Sequence, residues 1–154
     1  MSIIGERLVE LGIELPSVFP PAGNYVGCVR SGDLLHVGGH GPVNGSMVIT
    51  GKVGGSVSFD QARVAARMTG LSILATMHAE LGDLDRVRRI VKVFGMVNVA
   101  PGFNQTPAVI DGCSDLLVDV FGEAGRHTRS AVGLAELPFD IAVEIELIAE
   151  VDPV

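Results

Sequence analysis

The sequence predicts an α+β domain in which a mixed β-sheet carries two helices on one of its faces. Three observations carry this. Residues 59–81 form an apolar-faced segment opened by a Ser58/Gln61 capping box and closed by Gly82. Residues 87–99 and 142–151 alternate apolar and polar side chains at the period of a strand. The order of segments is hairpin, helix, strand, helix, two strands. With 154 residues and no linker, repeat or low-complexity stretch, the chain reads as one domain over residues 1–154, with residues 1–22 as an N-terminal helix-and-loop extension.

In order along the chain, residues 2–15 fit a short amphipathic helix with Ile4, Leu8 and Leu11 on one face. Pro16, Pro20, Pro21 and Gly23 then impose an irregular loop. Residues 25–29 and 34–39 read as two strands of a hairpin turned at Ser31-Gly32-Asp33. Residues 41–55 are glycine-rich around one short apolar run, Met47-Val48-Ile49. On the long helix Ala62, Ala66, Gly70, Ile73, Met77 and Leu81 share a face, and its later turns are apolar nearly all round. That predicts a helix pressed between the sheet and a second partner.

In the next strand Val91, Val93, Val97 and Val99 are expected on one side, with Lys92, Phe94, Met96 and Asn98 on the other. A second helix is expected with Thr106 as its cap and Pro107 at its first position, ending near Gly125. Two strands close the chain, residues 128–137 and 142–151, separated by Leu137-Pro138-Phe139-Asp140.

Composition narrows the function. A net charge of −7 disfavours contact with phosphate backbones, and with Trp 0 and Tyr 1 there is little to stack bases on. Cys28 and Cys113 fit no redox or metal spacing and read as reduced core residues. The start of the chain lacks the basic, then uninterrupted apolar, pattern of a signal peptide, and no apolar run approaches membrane-spanning length, so a cytoplasmic protein with no membrane partner is expected. A mean hydropathy of +0.44 is high for a small monomer, which predicts burial between subunits.

Several motifs fail on spacing. Gly45 to Lys52 looks like a phosphate loop, but five residues separate Gly45 from Gly51 where four are needed, and Val53 stands at the magnesium-binding hydroxyl position. There is no G-x-S-x-G and no G-x-G-x-x-G after the first strand. His36 and His40 are four apart, but on a strand running into glycines that spacing does not converge, so no metal site is expected. Arg86, Arg88, Arg89 and Lys92 read as a solvated face or as partners of acidic neighbours.

The closing strands carry the candidate chemistry. Alternation places Arg129 with Ala131, Gly133 and Ala135 on one face, and such small neighbours leave room for a carboxylate beside the guanidinium fork. Val143, Ile145, Leu147, Ala149 and Val151 form a core face, with Glu144, Glu146 and Glu150 turned away. A solvated face accounts for Glu146 and Glu150. Spacing alone leaves Glu144 open between that reading and a functional one.

The segment RSAVGLAELPFDIAVEIELIAEV resembles the C-terminal signature of the reactive intermediate deaminase family (RidA, also called YjgF). Gly23-Asn24-Tyr25, Gly32-Asp33-Leu34-Leu35, Gly39-His40-Gly41-Pro42, Gln61-Ala62-Arg63 and VKVFGMVNV agree with it in order, covering nearly everything after Asn24. The resemblance implies a chorismate-mutase-like fold and a homotrimer with clefts between subunits. It implies hydrolysis of 2-imino acids, or enamines such as 2-aminoacrylate, to 2-oxo acids and ammonia, with no cofactor. Carried over by motif, Arg129 binds the substrate carboxylate and Glu144 orients or activates water. Tyr25 lines the cleft from a neighbouring subunit, backbone near Gly39 and Ala131 completes it, and Arg126 or His127 reaches its mouth. The chain departs from the family where Ala131 replaces a frequent cysteine, Gly38-Gly39-His40 a frequent Ser-Gly-Gln, and Asp111 a frequent asparagine, and where residues 100–106 are longer. Two other functions stay in view: a non-catalytic module for small carboxylates, and the endoribonuclease or translation-inhibitor activity attached to some relatives.

Overall fold

The computed structural model describes residues 2–153. In chain order the elements are α1 (Ile3–Glu10), β1 (Cys28–Ser31), β2 (Leu34–His40), β3 (Val43–Asn44), β4 (Met47–Val48), α2 (Phe59–Leu81), β5 (Val87–Asn98), α3 (Thr106–Phe121), β6 (Thr128–Leu134) and β7 (Val143–Val151). Five strands make one sheet in the order β1-β2-β7-β5-β6, and β3 and β4 form a separate small hairpin. All neighbours in the sheet are antiparallel except β5 and β6, which α3 joins as a parallel crossover. β6 is therefore an edge strand with a helix leading into it.

The capping box opens α2: Ser58 Oγ accepts from the Gln61 N–H at 3.1 Å, and Gln61 Oε1 accepts from the Ser58 N–H at 2.8 Å. Gly82 closes the helix at φ 76°, donating its N–H to the His78 carbonyl. The second partner of its apolar circumference is α3. The two helices approach so closely that a Cβ at Gly70 would lie 2.9 Å from Leu116 and 3.1 Å from Cys113. Both helices cover the face of the sheet carrying Val143, Ile145, Leu147, Ala149 and Val151, all buried, so that Cys113 sits in the core and Cys28 is half-buried at its margin.

The structure corrects four local expectations. Tyr25 precedes β1 instead of starting it, because its N–H turns back to Gly23. Thr106 does not cap α3: Gln105 holds that position without a side-chain bond, and the Thr106 hydroxyl donates to the Ala131 carbonyl, tying the helix to β6. Ile90, not Val91, shares the core side of β5 with Val93 and Val97, because the pairing with β7 slips between Ile90 and Lys92. The closing strands are shorter than expected, and residues 138–140 form a single tight turn.

Among the described residues no helix lies over the far face of the sheet. Val29, Phe94, Met96, Val132 and Ile148 lie there, all at least partly exposed. Among the described residues no helix is long and apolar enough to cross a membrane.

Candidate functional site

Arg129 is on the helix-covered face of β6. Register fixes this, since it pairs with Val93 and Val93 pairs with Leu147, both buried in the core. The small residues of that face are covered from within the chain: Val99 and then Thr106 pack on Gly133, and in β5 Ile110 covers Gly95 so closely that a Cβ there would collide with it. The carboxylate beside the guanidinium is the chain's own. Nη1 donates to Asp111 Oδ1 at 2.8 Å and to Ser114 Oγ at 3.0 Å, and Nη2 donates to the Pro107 carbonyl at 3.2 Å. Three of the five guanidinium N–H groups are thereby spent. Nε–H and one Nη2–H have no acceptor among the described residues.

Behind the arginine runs a hydrogen-bond chain. His127 Nδ1 lies 2.6 Å from the Gly125 carbonyl, which can only accept, so Nδ1 carries the proton. Nε2 then accepts from the Ser114 hydroxyl at 2.9 Å, and the same oxygen receives Arg129 Nη1. Burial, partly opposed by the Gly125 bond and reinforced by the Arg129 charge, holds the His127 pKa below the ordinary value, which keeps this neutral tautomer in place. Ser114 was not singled out from the sequence, yet Pro107, Asp111 and Ser114 fall at i, i+4 and i+7, one face of a helix. Arg126 turns outward to pair with Glu123 at 3.8 Å.

Glu144 lies on the other face. It pairs with Met96, which pairs with Val132, on the side away from the helices. Its neighbour is Gly39, where a Cβ would collide with Glu144 Oε1. The break in register between Val37 and His40 produces this arrangement: the Gly38-Gly39 irregularity leaves Gly39 under the carboxylate and turns His40 back towards α2. His40 Nδ1 donates to the Gly38 carbonyl at 2.7 Å and Nε2 accepts from Thr76 at 2.8 Å. His36, exposed and paired with Ile148, points the opposite way, so the two histidines diverge. Burial, and then the charge of Glu146, raise the Glu144 pKa above the usual carboxylate range. Tyr25, Phe19 and Phe139 join Glu144 around a cavity of about 190 Å³.

The predicted residues thus fall into two groups: Arg129, Ala131 and His127 near α3, and Tyr25, Gly39 and Glu144 at the far end of β2. They occupy opposite faces of the sheet with β5 between their strands. One copy of the chain does not bring Arg129 and Glu144 together. Other sequence features resolve into structural roles. Lys52 donates to Asn98 Oδ1 at 2.9 Å and pairs with Glu136 at 3.4 Å. Arg86 donates to the Leu81 carbonyl at the end of α2, and Arg88 pairs with Glu150 and Asp152.

A mixed five-stranded sheet under two helices, with β6 entered through α3, defines the class as a chorismate-mutase-like α+β fold. The chain belongs to the YjgF/chorismate mutase-like endoribonuclease family, whose model matches residues 5–151. It is 45% identical over 151 residues to Protein TCP17 of Trypanosoma cruzi, covering 97% of this chain and 94% of that protein. It is 44% identical to the crystal structure of Atu1372 from Agrobacterium tumefaciens, a protein of unknown function, with TM-score 0.90 over 97% of this chain and 92% of that one. The YjgF gene product of E. coli is similar at 25% identity and TM-score 0.62, covering 87% of this chain and 94% of that one.

Proposed function

We propose that this chain hydrolyses 2-imino acids and their enamine tautomers to 2-oxo acids and ammonia, at a site that Arg129 of one copy and Glu144 of another complete within a homotrimer. One observation carries the reading: Arg129 is immobilised through three N–H groups, while Nε–H and one Nη2–H have no partner among the described residues. A fork held that way is preorganised for a carboxylate. The apolar side chains on the uncovered sheet face support an assembly that buries them.

In this mechanism the substrate carboxylate bridges Nε and Nη2 of Arg129. Glu144, with its raised pKa, accepts a proton from water as the oxygen adds to the imine carbon. The C=N π pair moves to nitrogen, which takes the proton back from Glu144 and gives a neutral tetrahedral amino alcohol. The hydroxyl proton then passes through Glu144 to the amino nitrogen, the C–N bond breaks as the C=O bond forms, and ammonia and the 2-oxo acid leave. An imine is already electrophilic, so position and one base suffice.

The test is subunit complementation. Arg129→Ala and Glu144→Gln chains, each inactive alone, are unfolded together and refolded as a mixture. A site shared between copies regains activity in about a quarter of its positions at equal mixing. Imine hydrolysis absent from the wild type would overturn the reaction. Hydrolysis that never returns on mixing would overturn the shared site. An endoribonuclease activity has less support, because the net charge of −7 opposes binding of a phosphate backbone.

A further inference from the structure

Most of the polar side chains lining the cavity beside Glu144 are engaged within the chain, and the Tyr25 O–H is the one side-chain donor among them that the described residues leave free. His40 uses both ring nitrogens internally. The Ser72 hydroxyl donates to the Val43 carbonyl, and the Tyr25 hydroxyl accepts from the Ala22 N–H. The walls that remain are Phe19, Pro20, Tyr25 and Phe139. At about 190 Å³ the space is smaller than the roughly 300 Å³ at which drug-sized pockets begin. It suits one side chain, and Glu144 is the single charged group lining it.

Phe139 is a second, independent observation. Its φ is +56° and that of Asp140 is also +56°, two successive left-handed residues without a glycine. The turn is held in place from outside: buried Asn98 donates to Asp140 Oδ1 at 3.0 Å and to the Ile141 carbonyl at 3.2 Å, and Gly51 donates to the Asp140 carbonyl at 2.7 Å. The product of this clamped backbone is a phenyl ring 80% exposed at the cavity rim. Backbone strain fixed by its surroundings, yielding an exposed aromatic beside a carboxylate, marks a contact surface for a ligand.

We infer that the cavity receives the side chain of the substrate, and that this side chain is bulky and apolar, branched aliphatic or aromatic, with Phe139 setting the preference. The inference rests on the deaminase reading and sharpens its substrate class. A small substrate leaves the apolar wall wet, and a charged side chain meets no charged partner except Glu144.

The test measures binding of four 2-oxo acids by calorimetry: pyruvate, 2-oxoglutarate, 4-methyl-2-oxopentanoate and phenylpyruvate. The expected result is that the last two bind about tenfold more tightly than the first two or better, the scale on which a few methylenes discriminate. Phe139→Asn, which relaxes the left-handed turn and removes the ring, is expected to fold at least as well and to level the series. Equal affinities across the wild-type series, or a series unchanged by Phe139→Asn, would overturn the inference while leaving the Arg129 anchor in place. An apolar preference without turnover of any 2-imino acid would overturn the deaminase reading and leave the cavity as the side-chain subsite of a carboxylate-binding module. Binding of none of the four would overturn both this inference and the carboxylate anchor.

Discussion

Asp111→Asn should make the Arg129 half-site a better anion receptor. Asp111 and an incoming carboxylate occupy different edges of one guanidinium, each about 2.9 Å from a nitrogen, which sets the two charges roughly 7 Å apart. The Asp111 side chain is 43% exposed against 20% for Arg129, so the repulsion is screened and an effective dielectric of about 40–80 applies. Coulomb's law then gives roughly 0.6–1.2 kcal/mol, or about a three- to eightfold gain in affinity on neutralising Asp111. Asparagine keeps an oxygen for Nη1, so the fork stays in place. The assay is titration with 4-methyl-2-oxopentanoate at low and high salt, with thermal melting as the control for folding. The gain should shrink as salt rises. Unchanged or weaker binding by a folded Asp111→Asn protein would refute the reasoning, because it would mean that the anion does not share the guanidinium with Asp111.

Three further variants test the same geometry. Glu144→Gln should lower kcat by about 10²–10⁴ while moving 2-oxo acid affinity little. The variant should also melt higher than wild type at neutral pH: a carboxyl with a raised folded pKa contributes stability below its unfolded value, 4.5, and loses it as pH rises through the folded one, so the difference should close in acid, by calorimetry at several pH values. Gly39→Ala places a methyl on the Glu144 carboxylate, a flexible end that can yield, so imine hydrolysis should fall at least tenfold while the melting temperature stays within a few degrees. Ser114→Ala leaves an Arg129 N–H and His127 Nε2 without their shared partner, so unfolding free energy should drop by about 1–2 kcal/mol in denaturant titration, and KM should rise more than kcat falls.

The fold was legible because its signals are local. The Ser58/Gln61 box, Gly82 and the alternation of residues 143–151 each report on a few neighbouring residues, and the structure realises all three. What failed was decided at a distance. Thr106 has the chemistry of a cap, but the edge strand β6 lies close enough to take its hydroxyl. Val91 has the right period, but a slip against β7 hands the core position to Ile90. Small residues beside Arg129 read as room for a ligand, whereas Val99 and α3 lie over them, and neither is contained in the sequence of that one strand.

The candidate site divides along the same line. Alternation correctly puts Arg129 with Ala131 and turns Glu144 away from the core, because both follow from the period of a single strand. Whether the two meet depends on which faces of the sheet they share, and here they share none. A catalytic pair on opposite faces has two explanations: the residues do not work together, or the working unit contains more than one copy. The proposed function rests on the second. An arginine that had only to stabilise the fold would gain from acceptors for all five N–H groups, yet α3 supplies three and leaves Nε open. A glutamate that had only to face solvent would avoid a half-buried seat over Gly39 where its pKa is raised. In the proposed reaction each half supplies what the other lacks, an anchor for the substrate carboxylate on one side and a base for the attacking water on the other, and that is why complementation between Arg129→Ala and Glu144→Gln chains is the decisive measurement.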